Sequence, residues 1–148
     1  MKSVMMAFVL ALLAPLAFAD AGISVDHAWL RMVPPVSSNS AAYLSVHNNT
    51  DQAVELVAVK SDIAKAVEMH TVIKEGNTMR MQALPLLEVP AHDSAHFTPG
   101  GNHIMFIGLK KPLEEGLQVP LTLVFDNGKT LVVTLTVKRE DDAKGNHK

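Results

Sequence analysis

The amino-acid sequence predicts an all-β protein, a sandwich or a barrel, built as one domain. Its apolar residues recur in short alternating runs, which is the pattern of strands that bury one face. Turn-forming clusters such as VPPVSSNS, NNTD and TPGGN separate those runs. No stretch keeps the period of an amphipathic helix. Together, these three observations favour short strands joined by tight turns.

Nine segments have the composition of strands. In chain order they are residues 23–31, 41–48, 53–60, 65–72, 78–84, 94–99, 103–109, 118–126 and 130–138. The clearest turn is Asn127-Gly128 in VFDNGKTLVV, because asparagine and glycine tolerate the positive φ angles of a tight hairpin. Pro120 has no amide hydrogen, so it predicts that its strand starts late or lies at an edge of the sheet.

The first residues predict export. The segment MKSVMMAFVLALLAPLAFADAG has a basic residue, Lys2, followed by an apolar run that closes on Ala17-Phe18-Ala19. This order is typical of a signal peptide with a small-x-small cleavage site. The apolar run is short for a membrane span, which needs about 20 such residues. We therefore expect residues 1–19 to be removed by cleavage after Ala19.

Composition limits the partners of the remaining chain. Without residues 1–19 it keeps 129 residues, with 12 basic and 15 acidic side chains and a net charge of −3. This length fits one domain, which we place at residues 20–138. No basic stripe appears, so neither nucleic acid nor an anionic membrane surface is an expected partner, and no second segment could span a bilayer. The charged segment 139–148 lacks apolar residues that could anchor it, and we expect a disordered tail.

The chain contains no cysteine. Disulfides, thiolate nucleophiles, iron–sulfur clusters, zinc–thiolate sites and the blue-copper centre are therefore excluded. A soft metal ion held here must use methionine or histidine. The sequence also lacks Gly-x-Ser-x-Gly, His-Glu-x-x-His and a nucleotide-binding loop, so we do not expect an enzyme.

Histidine and methionine are concentrated in VEMHT, TMRMQ and HIM. Side chains alternate along a strand, so His103 and Met105 of HIM share one face. A hairpin through KEGN would bring His70 beside Met79 or Met81 on adjacent strands. Thioether sulfur and neutral imidazole suit Cu(I) and discriminate against Mg²⁺, Ca²⁺ and Mn²⁺. The conjunction of these residues, rather than any one of them, predicts a Cu(I) site.

Other residues of the same types have ordinary interpretations. Met32 is expected to fill a gap in the core. We expect His27 and His47 to be exposed or locally hydrogen-bonded. His92 and His96 in AHDSAHF have the spacing of a weak second site, but a loop is the preferred interpretation. The sequence leaves open the roles of Met79, His92, His96 and His147.

The spacing of the candidate ligands resembles that of a known family. Ten residues separate His70 from Met81, twenty-one separate Met81 from His103, and one separates His103 from Met105. This resembles the His-x10-Met-x21-His-x-Met motif of the periplasmic copper chaperone PCu(A)C family. The segments AWLRMVPPVSSNSAAYLSVHN and PGGNHIMFIGLKKPLEEG are also similar to that family, and the resemblance runs from about Val25 to Lys138.

This resemblance implies a cupredoxin-like Greek-key β-barrel or sandwich. It also implies one Cu(I), held near the surface by His70, Met81, His103 and Met105. The implied function is delivery of copper in the periplasm to the copper centres of cytochrome c oxidase, with an oxidase subunit or a Sco-type protein as acceptor. Two alternatives stay open: a copper-resistance buffer in the same compartment, and a structural β-sandwich module that binds no metal.

Overall fold

The computed structural model describes residues 22–144. In chain order, their elements are β1 (Ile23–Arg31), β2 (Asn39–Asn48), β3 (Val54–Lys60), β4 (Ala64–Glu75), β5 (Thr78–Ala83), β6 (Leu87–Val89), β7 (Asp93–Phe97), β8 (His103–Leu109), β9 (Gln118–Phe125), β10 (Thr130–Lys138) and α1 (Glu140–Lys144). The predicted signal peptide and His147 lie outside the described residues.

The strands form one sheet in the order β5-β4-β8-β2-β1-β10-β9-β3-β6, and β7 pairs with β2. Strand β2 pairs with β8 through residues 39–42 and with β7 through residues 44–48. Strands β1 and β10 run parallel, whereas the other pairs are antiparallel. Within residues 22–144, no pairing joins the edge strands β5 and β6, so the sheet is open.

The inner face of the curled sheet forms the hydrophobic core. Alternate residues of β9 are buried, as expected for a strand with one apolar face. Ile104 and Phe106 of β8 are fully buried, and Met69 of β4 is only 5% exposed. Burial of each large apolar side chain contributes about 1.5–3 kcal/mol to folding. Because Met69 points into the core, its neighbours Glu68 and His70 point to the outer face.

The predicted all-β single-domain class is confirmed. Strands β1, β8 and β10 have the predicted bounds, and six others differ from prediction by a few residues. Strand β6 was not predicted, because its three residues are too few to show an alternating pattern. It is recognisable only from its pairing with β3.

Two local predictions in β9 and β10 have different outcomes. The Asn127-Gly128 turn does join these strands, with Gly128 at a φ of 79°. Pro120 lies neither in a late-starting strand nor in an edge strand, because β9 starts at Gln118 and lies between β10 and β3. Its pairing with β3 begins only at Thr122, so no β3 residue is opposite Pro120. The missing amide hydrogen is tolerated for that reason.

Residues 140–144, in the segment predicted to be a charged tail, form α1. Arg31 Nη2 lies 3.3 Å from Glu140 Oε2, which ties this helix to β1. Residues 145–148 lie outside the described residues, and the disorder of the tail stays a prediction. No helix within residues 22–144 has the length and apolarity needed to cross a membrane.

Candidate metal centre

The two candidate histidines lie opposite each other on neighbouring strands. His70 of β4 and His103 of β8 are direct partners in the antiparallel register. Their ring centroids are 5.8 Å apart, and the ring planes are tilted by 58°. Directly opposed residues project from the same face, so both imidazoles project side by side from the outer face of the sheet.

The two candidate methionines flank this pair. Met105 of β8 is opposite Glu68, two residues before His70. Met81 of β5 is opposite Val72, two residues after His70. Residues two apart on a strand share a face, so both thioethers lie on the same face as the imidazoles. His70 is the centre of the group: His103 is its direct neighbour, and each methionine is a diagonal neighbour within reach of a long side chain.

Exposure increases across the group from β8 to β5. His103 is buried, at 7% exposure, and Met105 is half-buried. The side chain of His70 is 17% exposed. Met81 is 56% exposed, on an edge strand whose residues are all exposed. One side of the group is therefore held within the protein while the other side is open to solvent.

Each histidine has one ring nitrogen engaged by a neighbour. His103 Nδ1 lies 3.0 Å from the carbonyl oxygen of Gly101, which can only accept a hydrogen bond. The Nε2 atom of His103 therefore keeps its lone pair when the ring is neutral. His70 Nε2 lies 2.9 Å from Glu68 Oε2, whereas His70 Nδ1 is buried without a hydrogen-bond partner.

Two further methionines, Met69 and Met79, lie close to the candidate ligands along β4 and β5. Met69 lies in the core on the opposite face of β4, so it is not placed to join the candidate ligands. Met79 is opposite Lys74 and lies on the same face as Met81, but one step farther from His70. It is 65% exposed. Met32 packs against the core, as expected.

A second group of histidines lies elsewhere on the sheet. The rings of His47 and His96 have centroids 6.4 Å apart. Ser94 Oγ lies 2.5 Å from His47 Nδ1, and Ser45 Oγ lies 2.8 Å from His96 Nδ1. This group was missed by sequence reasoning because its members come from different strands with no shared motif. His27 and His47 were expected to be exposed or locally hydrogen-bonded. His27 is exposed and bonds its neighbour Asp26, whereas the bond of His47 to Ser94 joins residues 47 positions apart.

An aspartate completes the second group. Asp26 Oδ1 lies 3.0 Å from His47 Nε2 and 2.9 Å from His27 Nδ1. The hydrogen bond with His47 lowers the pKa of Asp26 most, and the bond with His27 lowers it further. His27 has a φ of 51°, where β1 departs from regular pairing with β2. In the described part of the chain, no three histidine, aspartate or glutamate side chains are placed to hold one metal ion.

The fold and the group formed by His70, Met81, His103 and Met105, called the first group below, define a class of protein. It is a single all-β domain with a histidine–methionine cluster on the outer face of the sheet, near one edge. Residues 23–137 match the LpqE-like family, described as "Putative lipoprotein LpqE-like", and the chain belongs to this family. The resemblance to the PCu(A)C family is confirmed.

Individual relatives agree with this assignment. The "Putative lipoprotein Lxx21020" of Leifsonia xyli subsp. xyli is 35% identical over 128 residues, which is 86% of this chain and 76% of the relative. The solution structure of CuI-DR1885 from Deinococcus radiodurans is 34% identical, with a TM-score of 0.63 over 76% of each chain. The copper-bound PCuAC domain from PmoF2 has a TM-score of 0.68 over 80% of this chain and 93% of that domain. At 23% identity, the PmoF2 domain supports the fold alone.

Proposed function

We propose that this protein is a periplasmic metallochaperone that binds one Cu(I) and delivers it to the copper centres of cytochrome c oxidase. The ligands would be His70, Met81, His103 and Met105. The observation that carries this proposal is the register of β5, β4 and β8, which puts two imidazoles and two thioethers on one face. Membership of the LpqE-like family and the similarity to CuI-DR1885 support it.

The donor set favours the cuprous ion for reasons of charge and softness. Thioether sulfur is neutral and polarizable, and it carries no proton at any biological pH. Two thioethers and two neutral imidazoles leave a bound Cu(I) with a net charge of +1. The filled d shell of Cu(I) imposes little geometry of its own, so the ligands can come from three strands. Methionine also avoids the disulfide formation that would disable thiols in an oxidising compartment.

The gradient of exposure gives the ligands different roles in copper transfer. The buried His103 and the largely covered His70 would anchor the ion, whereas the exposed Met81 would yield first to a ligand from an acceptor protein. Each weak thioether can then be replaced in turn, so the ion need not be released into solvent. Four protein donors leave no open position for a substrate, which favours a carrier over an enzyme.

The compartment of the proposed function rests on the N-terminal sequence. Lys2, the apolar run and the Ala17-Phe18-Ala19 signal predict export and cleavage after Ala19. The relative from Leifsonia xyli is named a lipoprotein, which supports export. An oxidase subunit or a Sco-type thiol protein would be the acceptor there.

The binding step is tested by anaerobic titration of the purified protein with Cu(I) in the presence of a competing chelator. X-ray absorption of the loaded protein then counts the nitrogen and sulfur neighbours of copper. We expect one Cu(I) per chain with two nitrogen and two sulfur neighbours. A protein that leaves Cu(I) with the chelator, or that shows no sulfur neighbour, would contradict the proposal and favour a structural β-sandwich module.

The delivery step is tested in cells. A deletion strain grown at low copper should lose oxidase activity and regain it when copper is added. The deletion strain complemented with the His70→Ala variant should behave like the deletion strain. The same strain complemented with His47→Ala should behave like the wild type. Full oxidase activity together with increased sensitivity to copper would instead show that the protein is a copper buffer.

A further inference from the structure

Glu68 is placed to act on the proposed metal ligands without being one of them. It lies on β4 two residues before His70 and directly opposite Met105, so its side chain shares the face of the site. Its Oε2 atom lies 2.9 Å from His70 Nε2, and its side chain is 51% exposed. A carboxylate can only accept hydrogen bonds, so the hydrogen of this bond belongs to His70 Nε2.

That hydrogen decides which nitrogen of His70 is left to bind a metal. In a neutral imidazole only one nitrogen carries a hydrogen, so a hydrogen on Nε2 leaves the lone pair on Nδ1. The Nδ1 atom is buried and has no hydrogen-bond partner. The Nδ1 lone pair is therefore not used by any hydrogen bond of the protein, and it is the nitrogen of His70 that is left to bind a metal ion.

His103 is likewise held in one tautomer, but its hydrogen is on Nδ1 and not on Nε2. Its Nδ1 hydrogen is directed to the carbonyl oxygen of Gly101, at 3.0 Å, so its Nε2 carries the lone pair. Both imidazoles are thus held in one tautomer by an oxygen atom of the protein. Ligating histidines in metal sites commonly donate their second nitrogen in this way, which fixes the ring and raises its basicity.

We propose that Glu68 is a positioning residue that holds His70 in the Nε2–H tautomer, so that copper binds His70 through Nδ1 and His103 through Nε2. This inference rests on the proposed function for the identity of the metal. The carboxylate also sets a negative charge beside a site whose bound ion carries +1, which stabilises the loaded state. It lies beside Met105 in the register, so one side chain borders two ligands.

The tautomer is measured first in the metal-free protein, by long-range ¹H–¹⁵N correlation spectra of the histidine rings. The wild type should show His70 with its hydrogen on Nε2. Glu68→Gln has the same size but can both donate and accept, and Glu68→Ala can do neither, so both variants should lose the preference. The matched control is Glu75→Gln, which removes a carboxylate of β4 that bonds Arg80 instead, at 2.9 Å. It should leave His70 unchanged.

Copper binding gives the second measurement. Glu68→Ala should lower Cu(I) affinity by about 10–100-fold, the usual loss for an outer partner of a ligating histidine. Glu68→Gln should lower it less, and Glu75→Gln should not change it. In the Cu(I)-loaded wild type, which is diamagnetic, the nitrogen shifts on binding should appear at Nδ1 of His70 and Nε2 of His103.

The outcomes separate this inference from the proposed function. If the wild type binds no Cu(I), the proposed function fails, while the tautomer measurement still stands by itself. If Cu(I) binding changes the chemical shift of His70 Nε2 instead of Nδ1, copper binds the nitrogen that Glu68 occupies in the metal-free protein. Glu68 would then compete with copper, and the positioning role would be wrong. It is also wrong if the wild type shows His70 with its hydrogen on Nδ1, or if Glu68→Ala binds copper as tightly as Glu75→Gln.

Discussion

Residues 22–144 contain two pairs of neighbouring histidines, and their surroundings differ. His70 and His103 on β4 and β8 have ring centroids 5.8 Å apart, and His47 and His96 on β2 and β7 have centroids 6.4 Å apart. The first pair is flanked on its own face by Met81 and Met105. The second pair is hydrogen-bonded to serine hydroxyls and contacts an aspartate, and no methionine is among its partners.

This difference shows that two imidazoles alone do not determine the chemistry of a site. In the first group, soft thioethers lie on the same face as the two imidazoles. In the second group, a serine hydroxyl lies beside Nδ1 of each histidine, and a carboxylate oxygen lies 3.0 Å from His47 Nε2. Soft donors select Cu(I), whereas oxygen donors select harder ions or serve as hydrogen-bond partners. We therefore expect copper only at the first group.

The largest expected effect comes from removing a histidine of the first group. His70→Ala should lower Cu(I) affinity by more than about 100-fold, because it removes a ligand and not merely an outer partner of one. His47→Ala, the matched change in the second group, should leave the affinity unchanged. Anaerobic titration against a competing chelator measures both. Equal losses of Cu(I) affinity in the two variants would show that the second group also holds copper. The expectation that copper binds only at the first group would then be wrong.

A smaller effect is expected from the thioethers. Met81→Leu and Met105→Leu keep side-chain volume but remove sulfur, so each should lower Cu(I) affinity by about tenfold and speed copper transfer to a thiol acceptor. Met69→Leu is the control, because Met69 lies on the opposite face in the core. It should change stability by less than about 1.5 kcal/mol and leave copper binding intact.

Stopped-flow transfer distinguishes the two methionines. We expect the exposed Met81 to be replaced first, so Met81→Leu should change the transfer rate more than Met105→Leu. Transfer rates equal to the wild type in both variants would show that the thioethers are not the exchanging ligands.

Oxidation offers a third comparison, within one strand. Met79 and Met81 are both exposed on β5, at 65% and 56%, so dilute peroxide should convert both to sulfoxides at similar rates in the metal-free protein. Loading with Ag(I), a soft monovalent ion with a filled d shell that peroxide does not oxidise, should slow the oxidation of Met81 several-fold more than that of Met79. Peptide mass spectrometry measures each site. Equal protection of the two residues would assign Met79 a ligand role as well.

Much of the first group, the one with the thioethers, could be predicted from the sequence because neighbouring residues determine it. Alternation in HIM puts His103 and Met105 on one face, and the KEGN hairpin sets the register of β4 against β5. The residues alone left Met79 and Met81 open, and the resemblance to the PCu(A)C family selected Met81. The observed register puts Met81 two residues closer to His70 than Met79. The all-β class followed from the same alternation, repeated in most of the strands.

The parts that could not be predicted depend on pairing between distant segments. The opposition of His70 and His103 requires β4 and β8 to be neighbours in the sheet, although three strands, β5, β6 and β7, lie between them along the chain. The hydrogen bond that His70 donates to Glu68 requires both side chains to lie on the outer face of β4, and it requires a particular rotamer of Glu68. The second group joins β1, β2 and β7, whose bonded residues Ser45 and His96 are 51 positions apart. No local pattern records such pairings.

The smallest expected effect tests the hydrogen-bonded character of the second group. The hydrogen bond with His47 lowers the pKa of Asp26 below its usual 3.8, so the folded state favours the ionised carboxylate. The stabilisation of the fold by this carboxylate is complete above the pKa that Asp26 has in the unfolded chain. It is lost as pH falls through the lower pKa that Asp26 has in the folded protein. Because Asp26 is 51% exposed, solvent screens the interaction, and Asp26→Asn should cost at most about 0.5 kcal/mol near neutral pH. Urea unfolding should show this difference at neutral pH and none in strong acid. A difference that persists in strong acid would show that Asp26 acts through packing, and a change in Cu(I) affinity would show that the two groups are not independent.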